Sequence, residues 1–297
     1  MRIRYNIRKR GLVQMTLRDK IRDKKRIVIK VGTTTITYEK TGNINLDKLE
    51  KFVRILTNLR NQGKEVIVVS SGSVAIGRTV LNIEEKPRKG AMRQVCAAVG
   101  QARLMMIYEK FFSEYSQITA QILLTRESIT NEECKTQAKI AFEKLLNMGV
   151  IPIVNENDAI SVDEELYGVF GDNDTMAAQV AALVQADLLI LMSDIDGLYS
   201  DDPKKNPNAK FIHTVHKVDE RLENMAKGAG SDKGTGGMKT KIEAAKVIMN
   251  AGVDMVIANG NDIYTINDIM DGKETGTLFV GRNQGVRCNE VYRSAGM

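Results

Sequence analysis

An α/β fold, a mainly parallel sheet sandwiched between helices, is predicted by three features of the sequence. Short β-branched runs alternate with longer amphipathic segments from residue 26 to residue 280. Unusual polar residues gather directly after the short runs, and no low-complexity linker interrupts the pattern. Alternation on this scale means parallel strands covered by helices on both faces. With 297 residues and 43% hydrophobic content, the chain can bury the core such a fold needs.

The first run, Arg26–Val31, reads R-I-V-I-K-V. In the next segment, 46–61, Leu46, Leu49, Phe52, Val53, Leu56 and Leu59 share one helical face, and Gly63 supplies the stop. Strand Val66–Val69 leads to a helix near Gln94–Tyr115, strand Ile118–Leu124, a helix near Glu132–Asn147 and strand Val150–Val154. Helix Asp174–Gln185, strand Asp187–Met192, helix Lys239–Ala251, strand Val253–Ala258 and a last strand Thr277–Val280 complete the series. Sheets of this kind bind ligands beyond the carboxyl ends of their strands, so the informative residues are those where strands run into loops. The polar stretch 201–208 and the Gly-rich stretch 228–237 read as functional loops inside one unit, giving a single domain over 26–297.

The formal charge of +6 belongs to the start of the chain. Residues 1–26 hold eleven Lys/Arg against Asp19 and Asp23, which leaves the remainder near −3. Residues 1–25 are therefore expected to be a basic, disordered extension, and deletion of Met1–Arg18 is expected to leave catalysis nearly intact; targeting and polyanion binding are the alternatives. The segment has no serine and no apolar core follows it, which weakens both leader-peptide readings. Cys96, Cys134 and Cys288 are odd in number and far apart, arguing against a disulfide framework or thiolate zinc site and for a reducing, cytoplasmic setting. No apolar run approaches the ~20 residues that cross a bilayer.

The loops carry the chemistry. P-loop, Rossmann and protein-kinase signatures are missing, and His213 and His216 are too few for a three-His metal site. Catalysis is left to lysines, carboxylates and backbone donors. Lys30-Val-Gly-Thr-Thr-Thr35 places a lysine at a strand end before a glycine that lets backbone N–H groups approach an anion. Ser70-Ser-Gly-Ser-Val-Ala-Ile-Gly77 repeats the theme; either alone is as readily an ordinary turn. Asn155-Glu-Asn-Asp158 and Gly171-Asp-Asn-Asp174 gather Glu156, Asp158, Asp172 and Asp174 at one sheet edge, where like charges repel unless cations or an ammonium group sit among them. Capping of the following helix accounts for Asp172 or Asp174, but not for the whole cluster. Gly234-Thr-Gly-Gly-Met-Lys-Thr-Lys241 enters a helix, with N–H groups suited to a phosphate and mobile positive charge on Lys239 and Lys241; a solvated surface loop is the alternative.

In order and context these segments resemble the amino acid kinase family, and within it the glutamate 5-kinases. The resemblance runs from about Arg26 to Arg282. It rests on Val69-Ser-Ser-Gly72, Ala97-Ala-Val-Gly-Gln101, Pro152-Ile-Val-Asn-Glu-Asn-Asp-Ala159, Gly171-Asp-Asn-Asp174, Ser193-Asp-Ile-Asp-Gly-Leu-Tyr199 and Thr235-Gly-Gly-Met-Lys-Thr-Lys241. It implies the amino acid kinase fold and ATP-dependent phosphorylation of the γ-carboxylate of L-glutamate, first step of proline biosynthesis. Lys30 and Lys241 would flank the moving phosphoryl group, with Asp174 orienting both. Lys30, Gly32, Ser193, Asp194, Thr235, Gly236, Gly237, Met238, Lys239, Thr240 and Lys241 would hold ATP, with Mg2+, and no metal site of the protein's own is expected. Ser71, Gly72, Asn155, Asp158 and Asn173 would hold glutamate.

The family also implies proline as feedback inhibitor, glutamyl phosphate reductase as a partner and a homo-oligomer, with no nucleic-acid or membrane partner. Two departures stand out: no room remains before Met297 for the C-terminal PUA domain many of these kinases carry, and the basic extension lies outside the pattern. The alternatives are an acetylglutamate or aspartate kinase, the kinase half of a bifunctional pyrroline-5-carboxylate synthase, or a non-catalytic sensor, against which both lysines argue. Chemistry favours a carboxylate acceptor. With a reference pKa of about 4.3, the glutamate side chain is already ionised at neutral pH and needs no general base.

Overall fold

Ile27, Val28, Ile29 and Val31 of strand β1 (Arg26–Val31) are all shut from solvent, as befits a central strand covered on both faces. The structure, a computed structural model, describes residues 16–282 apart from 88, 161–172, 202, 204 and 229–236. After β1 come α1 (Thr33–Ile36), α2 (Leu46–Asn61), β2 (Glu65–Ser70), α3 (Ser73–Val80), α4 (Ala91–Glu114) and β3 (Thr119–Leu124). Next are α5 (Glu127–Thr130), α6 (Glu132–Asn147), β4 (Ile151–Glu156), α7 (Asn173–Leu183), β5 (Leu188–Ser193), β6 (Leu198–Tyr199), β7 (Phe211–Ile212) and β8 (Thr214–Val215). The described chain closes with α8 (Glu220–Gly228), α9 (Met238–Asn250), β9 (Asp254–Asn259), α10 (Thr265–Met270) and β10 (Thr277–Phe279).

Eight strands form one sheet in the order β3-β4-β2-β1-β5-β9-β10-β8, and β6 pairs with β7 in a separate antiparallel ribbon. The expected parallel sheet is present, with one exception. β10 lies antiparallel to β9, and β8 runs parallel to β10. Strand order turns at β1, between β2 and β5, so the loops after β1, β2, β4 and β5 meet at one edge.

Strand parity divides the core. Ile27, Ile29 and Val31 face α2, α4 and α10, among Phe52, Leu56, Tyr108, Phe112 and Ile269. Val28 faces α7 and α9, among Met176, Val180, Ala245 and Ile248. Side chains alternate along a strand, so Lys30 belongs to the Val28 face. Local signals set the helix starts: the Asn45 side chain accepts from the Lys48 N–H at 3.0 Å to cap α2, and Asn131 caps α6 the same way.

The packed body starts earlier than the basic composition suggests. Residues 1–15 of the expected extension lie outside the described residues, but Asp19–Asp23 form a 3-10 turn with Ile21 wholly buried. The Arg18 guanidinium donates to the carbonyls of Thr275 at 2.7 Å, His213 at 2.9 Å and Gly276 at 2.7 Å. A lone isoleucine and one arginine show no periodicity, so burial here escaped a reading based on patterns.

Candidate active site

Three charged side chains meet where β1, α7 and α9 converge. Lys30 Nζ lies 2.6 Å from Asp174 Oδ1, and Lys241 Nζ donates to Asp174 Oδ2 at 2.9 Å. All three are buried, Asp174 to 1% exposure. Burial by itself would raise the Asp174 carboxyl; the Lys30 and Lys241 ammonium charges outweigh it and hold the group below the usual carboxylate range. Asp174 sits in the first turn of α7, yet its carboxylate turns to the lysines rather than capping the helix. Two ammonium groups and one carboxylate together carry +1, a positive charge offered to an anion at low dielectric. Lys241 is held, not mobile as the loop sequence suggested.

Beside this centre runs a chain of amides. Asn173 Nδ2 donates to Ser71 Oγ and, at 3.4 Å, to Asn155 Oδ1. Asn155 Nδ2 donates to Gln101 Oε1 at 2.9 Å and Ser73 Oγ at 3.2 Å. Asn155 belongs to strand β4 and not to a loop, and it is 2% exposed. Asn155 is thereby tied to Asn173, and Asn173 in turn to Ser71. Two backbone demands bring these groups together. Gly72 precedes α3 at φ 112, open to glycine and strained for other residues, with Ile36 Cδ1 only 3.2 Å from where a Cβ would stand. Gly77 and Gly100 let α3 and α4 touch backbone to backbone: a Cβ on Gly100 would fall 1.8 Å from the Ser73 carbonyl oxygen.

Among the described residues the acids do not form one cluster. Asp174 belongs to the lysines, and Asp158 Oδ1 accepts from Arg93 Nη2 at 2.8 Å, so each has the cation that like-charge repulsion required. Asp172 lies outside the described residues. Arg93 and Gln101 were missed as site residues. Their spacing carries the signal, because Arg93, Ala97 and Gln101 at i, i+4 and i+8 share one face of α4.

The candidates for nucleotide contact sit at the ends of β1 and β5 and the start of α9. Gly32 opens α1; a Cβ there would stand 3.7 Å from Lys30 Nζ. Ser193 ends β5, its carbonyl accepting from the Gly260 N–H at 2.6 Å and its hydroxyl donating to exposed Asp194 at 3.0 Å. Gly237 precedes α9, and the Thr240 hydroxyl donates to its carbonyl at 2.8 Å. Met238 opens that helix, while Lys239 points to solvent and lies 3.9 Å from Glu243, away from the Asp174 centre. Thr235 and Gly236 lie outside the described residues.

Residues 25–259 match the profile of the Amino acid kinase family. The chain belongs to the amino acid kinase family. Among curated relatives, the glutamate 5-kinase of Clostridium perfringens is 48% identical over 268 residues, 90% of this chain and 99% of that protein. The glutamate 5-kinase of Carboxydothermus hydrogenoformans is 51% identical over 263 residues, 89% of this chain and 70% of that protein. Among solved structures, carbamate kinase from Giardia lamblia bound to AMP-PNP is similar with a TM-score of 0.63 at 15% identity, covering 87% of this chain and 99% of its own. UMP kinase from Ureaplasma parvum gives 0.59 at 15% identity, covering 86% and 99%. At such identity these two kinases of the family speak for the fold alone. Among the described residues no helix is long and apolar enough to cross a membrane.

Proposed function

We propose that the chain transfers the γ-phosphoryl group of ATP to the γ-carboxylate of L-glutamate, giving L-glutamyl 5-phosphate at the start of proline biosynthesis. Relatives of nearly equal length at 48% identity support the reaction, and the acetylglutamate and aspartate alternatives find no such support. One observation carries the mechanism: the buried Lys30–Asp174–Lys241 triad with its surplus positive charge. In the transfer, a glutamate carboxylate oxygen bonds to the γ-phosphorus as the bond to the β-phosphate oxygen breaks, and ADP departs. Negative charge on the moving group is matched by Lys30 and Lys241, which Asp174 holds in place before reaction, so no reorganisation is needed.

No proton leaves the nucleophile. Fittingly, His213 sits half-exposed, 3.4 Å from Glu274, on the surface near the N-terminal turn. Ser71 and Asn173 support glutamate beside the triad, and Asp158 takes its ammonium group. In this reading Ser193, Asp194 and residues 235–241 would hold ATP. Mg2+ would arrive with the donor. Mg2+ in such reactions is commonly held by substrate phosphates with one or two carboxylates. A cytoplasmic setting, feedback by proline, delivery of the acyl phosphate to a reductase and a homo-oligomer remain parts of this proposal. ADP release measured with glutamate, aspartate and acetylglutamate tests the reading, and activity with either of the latter in place of glutamate overturns it.

A further inference from the structure

The established relatives name the substrate but not how its α-carbon end is recognised. A cavity of about 200 Å3 is lined by Ser73, Ala97, Gln101, Glu156 and Asp158 among others, and Ser73 and Gln101 tie it to Asn155 of the amide chain. One donor in it wants an acceptor. Gln101 is 92% buried by its 8% exposure; its Oε1 accepts from Asn155, but its Nε2 has no partner among the described residues. A buried donor left so costs about 1–3 kcal/mol, which an oxygen atom entering the cavity would relieve. Arg93, outside that lining, lies one turn before Ala97 on the same face of α4 and reaches Asp158, which does line the cavity. Among the described residues its guanidinium meets Asp158 through Nη2, at 2.8 Å, and its side chain is 32% exposed, so donors remain for a second carboxylate.

Arg93 and Asp158 thus present a fixed cation beside a fixed anion. An α-amino acid head group is the mirror of that pair, an anion beside a cation. We propose that the Arg93–Asp158 pair reads the zwitterionic head group of the acceptor, Arg93 taking the α-carboxylate and Asp158 the α-ammonium. The arrangement selects α-amino acids over chains that lack either charge and holds the far carboxylate toward Lys30. This deepens the glutamate reading and rests on it.

The test compares L-glutamate with L-isoglutamine, which keeps the γ-carboxylate and the ammonium but carries a neutral α-carboxamide. Preference is read as the ratio of kcat/KM, or of inhibition constants where the amide is not turned over. Arg93→Gln should raise KM for glutamate about tenfold to a hundredfold, leave kcat within several-fold, and cut the preference over isoglutamine by at least about tenfold. Arg93→Lys should recover part of both. An unchanged preference, even with a raised KM, overturns the proposal and leaves Arg93 as a support for Asp158. Loss of preference restored by no cation at 93, with far-UV circular dichroism unchanged, would equally count against it. Failure of the parent chain to phosphorylate glutamate is a separate result and strikes the functional reading itself.

Discussion

Replacing Asp174 by Asn removes one charge from a place where two buried lysines depend on it. Lys30 and Lys241 approach its two oxygens at 2.6 and 2.9 Å, with side-chain exposures of 9% and 5%. Breaking a buried pair by deleting one partner costs about 3–5 kcal/mol, because the remaining charge has lost its counter-ion. Here two ammonium groups lose the same one, so the upper half of that range is expected in urea unfolding at pH 7. Against a typical stability of about 5–15 kcal/mol the variant should still fold. Turnover should fall at least about a hundredfold, since the lysines lose their fixed positions.

The pH dependence follows from the same group. Its folded carboxyl titrates below the unfolded value of about 3.9, so its contribution is fully present above that value and is lost as pH falls through the lower folded one. The stability gap between parent and variant should therefore be level from pH 8 to about pH 5 and narrow below about pH 4. A gap under 1 kcal/mol at pH 7, or one that widens in acid, would refute the account of the triad.

Other perturbations separate the roles around the triad. Lys30→Ala and Lys241→Ala should each lower kcat far more than they raise KM for glutamate, because the charge they meet is greatest in the transition state; near-normal kcat in both would show the centre is misplaced. Asp158→Asn should mainly raise KM for glutamate, and steady-state kinetics with an unchanged KM would remove it from the substrate site. Truncation before Thr16 should leave stability and activity unaltered, whereas Arg18→Ala should cost about 2–3 kcal/mol in denaturant unfolding, since three carbonyls lose a charged donor. Equal stability of Arg18→Ala and parent would show that the N-terminal turn is merely laid on the surface.

The strongly periodic elements were legible from residues alone. Helix α2 was found at its observed bounds, because five or six apolar residues repeat at helical spacing between Asn45 and Gly63. Short elements were not: α3 hid inside a Ser- and Gly-rich stretch that reads as a turn, and its packing depends on Gly77 and Gly100 being bare against a neighbouring helix. The antiparallel pairing of β10 with β9 was equally invisible, since the apolar run Thr277–Phe279 has the same pattern in either direction. Within the site, pattern and physics placed anion-binding loops at strand ends and asked for cations among the acids. They did not say which cation answers which acid. Lys30 and Lys241 are 211 positions apart, and Arg93 lies 65 positions before Asp158; such pairings arise only when the sheet brings distant loops together.

In the proposed reaction an ionised carboxylate attacks ATP without a base and yields an acyl phosphate. Acyl phosphates react with hydroxylamine, so the direct measurement is to run the reaction in its presence and count glutamyl hydroxamate against ADP. The account predicts one hydroxamate for each ADP, abolished together by Lys241→Ala. Glutamate-dependent ADP release without hydroxamate, under conditions that trap authentic acyl phosphate, would contradict it.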